Sequence, residues 1–341
     1  MGQKILYPEL PSELQQAVFG SPELKAYIAQ HSRDFPQTAN LAKQMLYSLE
    51  ARLSSATVVR FFAFVMNHLL MKMYQEGIHI KQTEFEAVQK AAQEAADKGH
   101  ALLLLPSHKS HVDYLVISYI LYRLGLALPF IAAGENLNLP LVGWILRHGG
   151  AFMIRRVWTS TKKEPPGLYS LVSKLYIIAI LSKGHSLEVF IEGTRSRTGK
   201  LLNPKYGILK IIMDAMLNGQ IKDCVVVPVS IGYHLESNSW MSVRLMEQYL
   251  GYDKVIETSS YVDELLGRPK QAESLLQVFN ATKLLGVKLG RIDIRFAAPF
   301  HLSDFLKDRE KRNASYILFF FEWKDQWVER GRQHVGPFIV A

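Results

Sequence analysis

The chain has 341 residues, of which 48% are hydrophobic and 21% charged, with 40 Lys and Arg against 31 Asp and Glu. This composition excludes a disordered or fibrous protein, and the length is sufficient for one or two domains with a sizeable core. The single cysteine, Cys224, excludes a disulfide scaffold and a cysteine-based metal cluster.

The formal net charge of +9 is concentrated in one part of the chain. Residues 147–210 contain twelve Lys and Arg but only three Glu, so this window carries the whole excess. Such a concentration predicts an anionic partner, which at this point is phosphate, nucleic acid or an acidic membrane surface.

The first 95 residues favour helices, because Leu and Ala recur at helical spacing, and we predict an N-terminal helical domain over residues 1–98. Residues 59–74 are apolar nearly all round, which fits either a buried helix of a small bundle or a helix that contacts membrane or acyl chains. Residues 83–98 predict an amphipathic helix that ends at Gly99. No charge-free apolar run reaches the roughly 20 residues of a membrane span, and the N-terminus lacks a signal-peptide pattern, so we expect neither feature.

From residue 100 the pattern changes to short apolar runs separated by helical segments, which predicts an α/β domain over residues 99–307. The runs that predict buried strands are 101–105, 129–132, 151–154, 187–191, 225–231 and 292–296. Helices are expected over 112–124 and 166–183. Residues 308–341 are interpreted as a C-terminal helical segment of a truncated chain.

The first motif with chemical potential directly follows the predicted strand 101–105. It contains His108 and Asp113, with His111 between them. With His108 in the loop and Asp113 on the first helical turn, the carboxylate can fold back to the imidazole. A carboxylate that holds one ring nitrogen leaves the other nitrogen able to accept a proton. A structural role for this pair is the alternative.

Two further motifs place cations after strands. Arg155 and Arg156 follow the strand 151–154, and the turn that begins at Glu192 and Gly193 runs through Thr194, Arg195, Ser196 and Arg197 to Lys200. Gly permits a tight turn, and Arg offers forked donors that match phosphate oxygens. The spacing differs from a nucleotide P-loop, because five residues separate the glycines and Leu201 follows the lysine. Solvated basic turns are the alternative interpretation.

The fourth motif is the apolar run 225–231, which contains Pro228. Since proline is disfavoured inside a central strand, Pro228 is expected at a strand beginning or at a bulge that shapes a wall. A purely structural role is the favoured interpretation. Cys224, just before it, is expected in the core because no activating neighbour is visible.

In this order and at these intervals, the four blocks resemble the glycerolipid acyltransferase family. That family is marked by an H-x4-D block, a Gly-rich apolar block ending in Arg, an E-G-T-R-S-R block and an apolar block with proline. Within it, the chain is most similar to the dihydroxyacetone-phosphate acyltransferases and their relatives, the glycerol-3-phosphate acyltransferases. The resemblance implies a mixed sheet flanked by helices, with an N-terminal helical bundle.

The resemblance also implies roles for individual residues. His108 would be the general base and Asp113 its orienting partner. Arg155, Arg195, Ser196, Arg197 and Lys200 would hold the substrate phosphate. Glu192, Gly193 and Thr194 would shape the acceptor pocket, and Pro228 would line the site or an acyl channel. No metal or other cofactor is implied, since acyl-CoA is a co-substrate.

The reaction implied is acyl transfer from acyl-CoA to the free hydroxyl of dihydroxyacetone phosphate, an early step of ether lipid and glycerophospholipid synthesis. Glycerol 3-phosphate is the alternative acceptor, and His111 resembles the pattern of that group. The resemblance further implies peripheral membrane contact and a peroxisomal location. A basic lipid- or nucleic-acid-binding protein without catalysis is the alternative of a different class. Nucleic acid is disfavoured because the aromatic residues near the arginines look like strand core.

Overall fold

The computed structural model describes residues 10–155, 164–196, 201–234 and 290–310. The helices in these ranges are α1 (Leu10–Gly20), α2 (Pro22–His31), α3 (Thr38–Leu49), α4 (Ala56–Met73), α5 (Gln82–Lys98), α6 (Asp113–Arg123), α7 (Val142–His148), α8 (Leu168–Ser182), α9 (Gly207–Leu217) and α10 (Leu302–Glu310). The strands are β1 (Ile78–Ile80), β2 (Ala101–Pro106), β3 (Phe130–Gly134), β4 (Ala151–Ile154), β5 (Leu187–Glu188), β6 (Cys224–His234), β7 (Arg291–Phe296) and β8 (Phe300–His301).

The eight strands form one mixed sheet in the order β1-β7-β6-β2-β5-β3-β4, with β8 beside β6. From β6 to β4 all neighbours are parallel, whereas β6 runs antiparallel to both β7 and β8. Helices lie on both faces, as the burial of both faces of β2 requires. The predicted α/β fold with a mixed, helix-flanked sheet is confirmed.

Two apolar layers enclose the sheet. On one face, α1, α3, α8 and α9 pack against Leu103 and Leu105 of β2. On the other face, α5 and α6 pack against Leu102 and Leu104 of the same strand. The alternation along β2 follows from the two-residue period of a strand, which sends successive side chains to opposite faces.

The N-terminal residues are mostly helical, as predicted, but they also contain a strand. β1 pairs in parallel with β7, which lies more than 200 residues later in the chain. A three-residue strand is too short to show its period in the sequence, so the helical prediction was wrong there. The domain boundary at residue 98 remains a prediction.

The predicted helix 83–98 corresponds to α5, and its end is confirmed. Gly99 adopts a left-handed conformation with φ of +65°, and its backbone N–H bonds the carbonyls of Ala95 and Ala96. Glycine adopts this conformation at little steric cost, so it commonly terminates helices.

Helix α4 has 18 residues, of which only 11% are buried, and the others are half-buried or exposed. By length and composition it is the one helix in the described ranges that is apolar enough to cross a membrane. The sequence-based expectation, which considered only apolar runs without any charged residue, missed this helix because Arg60 and Lys72 lie near its two ends. Its exposure also contradicts the interpretation of residues 59–74 as a buried bundle helix.

Pro228 lies inside β6, so the expectation of a strand beginning was wrong. It falls between the residues that pair with β8, Val225 and Val226, and those that pair with β7 from Val229 onward. Its carbonyl accepts the N–H of Ala297, which lies between β7 and β8. The nitrogen of Pro228 therefore faces the gap between β7 and β8. Since neither strand pairs with β6 at that point, the absence of the proline N–H removes no hydrogen bond from the sheet.

At the amino end of β6, Asp223 joins this strand to α10. Its carboxylate accepts hydrogen bonds from the backbone N–H groups of Cys224 and Ser303, from the Ser303 hydroxyl and from His301 Nδ1. His100 lies beside this group, with its ring 5.7 Å from that of His301. Because Asp223 is engaged by four donors, we interpret the cluster as a cap for α10.

Candidate active site

The candidate site lies at the carboxyl ends of β2 and β5, which are neighbours in the sheet. From β2 the chain crosses through α6 to β3, and from β5 it crosses through α9 to β6, in opposite directions along the sheet and on opposite faces. Loops that diverge in this way leave a crevice at the carboxyl edge of an α/β sheet, where ligands bind. The loop containing His108 and the turn containing Glu192 line this position.

The structure brings His108 and Asp113 together, as the sequence predicts. His108 Nδ1 lies 3.0 Å from Asp113 Oδ2. The same oxygen accepts the backbone N–H groups of Lys109 at 2.7 Å and Ser110 at 2.8 Å. Since a carboxylate accepts, Nδ1 carries the proton and Nε2 is left as the basic nitrogen.

Asp113 is fully buried at the first position of α6. Its second oxygen, Oδ1, accepts the hydroxyl proton of Tyr233 on β6. A buried carboxylate that accepts four hydrogen bonds, at the positive end of a helix, is stabilised as an anion. Tyr233 was missed by sequence reasoning, because it lies 120 residues away and no local pattern marks it.

Glu192 holds the two loops together. Its Oε1 accepts the backbone N–H of His108, and its Oε2 accepts that of Leu202, both at 2.9 Å. The backbone N–H of Ser196 in turn donates to the His108 carbonyl at 2.8 Å. Burial raises the pKa of Glu192, while the bonds from the His108 and Leu202 N–H groups oppose that rise. Glu192 thus acts on His108 through the backbone, where the resemblance implied a pocket residue.

The His108 ring packs against Phe190, with the ring centroids 4.2 Å apart and the planes 40° from parallel. Phe190 follows β5 and also packs against the buried cluster that includes Ile131 of β3 and Met153 of β4. The imidazole is therefore fixed by a carboxylate at one nitrogen and by an aromatic ring on one face. A ring that is fixed in this way loses little orientational freedom when it accepts a proton.

Arg155 extends from the end of β4, two strands beyond β5 and so about 10 Å away at the usual strand spacing. Its Nη1 lies 3.0 Å from Glu164 Oε1, and its guanidinium stacks 4.4 Å from the ring centre of Tyr169. The Tyr169 hydroxyl also accepts the backbone N–H of Arg155 at 2.8 Å. Arg155 is thus positioned by two side chains that the sequence motif did not include.

The turn after Glu192 begins with Gly193, whose φ is +64°. A Cβ at this position would lie 2.8 Å from Cδ of Lys205, so the lysine stem runs directly over the glycine. Thr194 is exposed, Arg195 is partly exposed, and Ser196 is buried. Arg156, Arg197 and Lys200 lie outside the described residues, so their predicted roles remain predictions.

Some of the Lys and Arg residues in the window 147–210 bind other groups of the protein. Lys174, Lys183 and Lys210 form ion pairs with Glu23, Glu13 and Asp214. Arg147 is buried and donates to the backbone carbonyls of Tyr47, Ser48 and Glu50. Other cations at the carboxyl edge are Arg155, which pairs with Glu164, Arg195 in the turn after Glu192, and Lys205, whose stem lies over Gly193.

A fixed His–Asp pair at the carboxyl end of a parallel strand, beside a cationic glycine turn, is an arrangement suited to base-catalysed transfer onto a hydroxyl of a phosphorylated substrate. Residues 86–232 match the acyltransferase family, and residues 261–333 match the glycerol-3-phosphate acyltransferase C-terminal region. The chain therefore carries an acyltransferase-family domain followed by this C-terminal region, and the resemblance drawn from its motifs is confirmed.

Similar curated proteins are bacterial and are named glycerol-3-phosphate acyltransferase. One from Pseudomonas fluorescens (strain Pf0-1) is 37% identical over 284 residues, which covers 83% of this chain and 30% of the relative. One from Xylella fastidiosa (strain 9a5c) is 36% identical over 313 residues, which covers 90% of this chain and 32% of the relative. The chain spans about a third of the length of these relatives.

These relatives change two expectations. Their name favours the alternative acceptor, glycerol 3-phosphate, over dihydroxyacetone phosphate, and it lends no support to an ether-lipid role. Their bacterial origin argues against the peroxisomal location that the subgroup resemblance implied. Both expectations came from ranking subgroups that share all four motifs, although His111 in the first motif resembles the glycerol-3-phosphate group.

Proposed function

We propose that this protein transfers a fatty acyl group from acyl-CoA to a hydroxyl of glycerol 3-phosphate. The observation that carries the proposal is the His108–Asp113 pair, held at 3.0 Å beside the cationic turn that follows β5. The names of the bacterial relatives support glycerol 3-phosphate as the acceptor.

In this mechanism His108 Nε2 accepts the proton of the acceptor hydroxyl as its oxygen attacks the thioester carbonyl carbon. The carbon–sulfur bond then breaks, and the thiolate of CoA takes the proton from the imidazolium. The Asp113 carboxylate stabilises the imidazolium between the two steps. Base catalysis of this kind typically contributes about 10²–10⁴-fold in rate.

The acceptor phosphate is proposed to bind between Arg195 and the neighbouring cations Lys205 and Arg155. The backbone of Ser196, bonded to the His108 carbonyl, sets the distance between this phosphate site and the base. A phosphate held here would present a hydroxyl of the same small molecule to His108, which is the positional advantage that an enzyme needs. Arg197 and Lys200 are proposed as additional phosphate ligands.

An assay with acyl-CoA and each acceptor offered separately tests the proposal. We expect faster ester formation with glycerol 3-phosphate than with dihydroxyacetone phosphate, and loss of both in His108→Ala. The matched control is His79→Ala on the edge strand β1, which should retain activity. Retained transfer in purified, folded His108→Ala would refute the base assignment.

The same assay tests the phosphate site. Arg195→Ala should raise the KM for the acceptor with a smaller effect on the KM for acyl-CoA, since it removes a phosphate donor. Lys183→Ala, which removes a lysine paired with Glu13, is the control. An unchanged acceptor KM in Arg195→Ala would count against phosphate binding there.

We further propose that α4 and α7 contact a lipid surface, since the acyl donor and the product are amphiphilic. Phe61 and Phe64 on α4 are 60% and 62% exposed, and Leu141 and Trp144 on or beside α7 are 66% and 48% exposed. The rings of Phe62 and Trp144 lie 6.2 Å apart, so the two helices form one surface. Helix α4 contains Arg60 and Lys72 but no acidic residue, which favours anionic lipids.

Flotation with vesicles that contain anionic lipid tests this contact. The double variant Phe61→Glu/Phe64→Glu should float less than the native protein, because two charges would have to enter the interface. Leu217→Glu on α9, which is also an exposed apolar position, is the control and should float like the native protein. Equal flotation of all three proteins would exclude α4 as the contact.

A further inference from the structure

Glu188, the last residue of β5, has no part in the mechanism above, yet it lies under the site. Its side chain is completely buried, and neither carboxyl oxygen has a hydrogen-bond partner among the described residues. Four residues later the same chain segment supplies Glu192, which bonds the His108 backbone. A buried acid without partners is costly, so its position next to a His–Asp pair calls for a physical explanation.

The surroundings of Glu188 are apolar on both sides in the sheet. It is in register with Leu104 of β2 and Ile131 of β3. The same face of β2 is covered by Val116 and Ile117 of α6. The charged group that acts on Glu188 is Asp113 at the start of α6. His108 and Tyr233 are bonded to Asp113, and Glu192 lies beyond the end of β5.

These surroundings decide which acid carries the charge. Asp113 accepts four hydrogen bonds, which stabilise its ionised form, whereas Glu188 accepts none among the described residues. Burial, and secondly the negative charge of Asp113, raise the pKa of Glu188 well above its ordinary value. Burial without hydrogen-bond donors favours the neutral form of a carboxylic acid, whereas donors directed at its oxygens favour the ionised form.

We propose that Glu188 is a neutral carboxylic acid, so that the negative charge beside His108 is limited to the single charge of Asp113. A second buried carboxylate would favour the protonated imidazole, which cannot accept the hydroxyl proton. The catalytic consequence rests on the proposed function, but the charge state of Glu188 does not.

The pH dependence of unfolding in urea tests the charge state without any substrate. Folded Glu188 would hold a proton that the unfolded chain has released, so native stability falls as the pH rises from about 4.3 towards the folded pKa. The ratio of the unfolding constants of native protein and Glu188→Gln should therefore rise with pH, by up to about tenfold per pH unit, until the pH reaches the folded pKa of Glu188.

The control for this measurement is Glu86→Gln, an exposed glutamate on α5, for which the ratio should stay constant. Should Glu188→Gln not fold, Glu188→Leu takes its place, since leucine suits the apolar contacts of Leu104 and Ile131. A constant ratio for the Glu188 variant between pH 6 and pH 8 would overturn the proposal, because it would mean that Glu188 is ionised in the folded protein.

A second measurement tests the link to the site, which a merely structural acid would lack. In the background Asp113→Asn the charge that opposes ionisation of Glu188 is removed, so the ratio should stop rising at a lower pH than in the native background. If the ratio stopped rising at the same pH in both backgrounds, the charge of Asp113 would have no effect on the ionisation of Glu188.

Activity supplies the last comparison. The pH at which kcat/KM falls to half on the acidic side should be the same in the native protein and in Glu188→Gln, because both side chains are neutral there. A shift to lower pH in the variant would show that native Glu188 carries a charge. Absence of acyl transfer by the native protein would refute the proposed function, while the unfolding experiments would still decide the state of Glu188.

Discussion

Glu192 Oε1 accepts the backbone N–H of His108 at 2.9 Å, although the two residues are 84 positions apart in the chain. The carboxylate thereby joins the loop after β2 to the turn after β5 and sets the distance between base and cations. The Glu of the E-G-T-R-S-R block thus has a geometric role in the H-x4-D block.

Removal of the Glu192 charge should loosen this connection. In Glu192→Gln one side-chain oxygen remains, so it cannot accept the N–H groups of both His108 and Leu202. An unsatisfied buried donor costs about 1–3 kcal/mol, and we expect kcat/KM to fall by about 10- to 100-fold. The measurement is steady-state kinetics together with thermal unfolding. The control Glu23→Gln, in an exposed ion pair with Lys174, should change neither, and native kinetics in Glu192→Gln would contradict the connecting role.

Asp113→Asn should impair catalysis more than binding. An amide presents one acceptor oxygen and one donor nitrogen, so it cannot accept from His108 Nδ1, Lys109 N–H and Tyr233 O–H in the present geometry. We expect kcat to fall by about 10²–10⁴-fold, with a smaller change in the acceptor KM. Circular dichroism would check the fold, and a kcat within threefold of native would count against the orienting role of Asp113.

Gly193→Ala should disturb the phosphate site through the backbone. The φ of +64° costs a residue with a Cβ about 1–2 kcal/mol, and the new Cβ would lie 2.8 Å from Lys205 Cδ. We expect a higher acceptor KM and a lower melting temperature. Gly20→Ala is the control, because it has open space around the new Cβ and lies within α1, where alanine is favoured. Equal effects of the two substitutions would contradict this explanation.

Because His185 is buried, we expect the folded protein to lose stability in acid. Burial lowers its pKa to about 4, below the roughly 6.5 of an exposed histidine, while its ring packs 5.8 Å from Phe130. Because the unfolded chain binds a proton that the folded chain does not, stability is retained above about pH 6.5. It then falls by up to about 1.4 kcal/mol per pH unit as the pH approaches 4. Urea unfolding between these values should show a shallower dependence in His185→Gln, and parallel curves for the two proteins would refute it.

The site was largely predictable because its residues lie in short local patterns. His108 and Asp113 are five apart, so one loop and one helical turn suffice to join them. The strand 151–154 appears within its predicted bounds because four consecutive apolar residues, three of them buried, leave little alternative. By contrast, β1 and the pairing of Pro228 depend on partners more than 60 residues away, and neither has a local signature.

The amino-acid sequence by itself determined the α/β class, the pairing of His108 with Asp113 and the glycine turn after β5, because each depends mainly on local patterns in the chain. The tertiary structure decided that Tyr233 and Glu192 fix the His–Asp pair, and that Glu188 is buried without partners beneath it. The physical reason is that hydrogen bonds across a sheet, and the dielectric environment of a buried acid, depend on which strands become neighbours. Strand order is a property of the whole chain, and no local pattern records it.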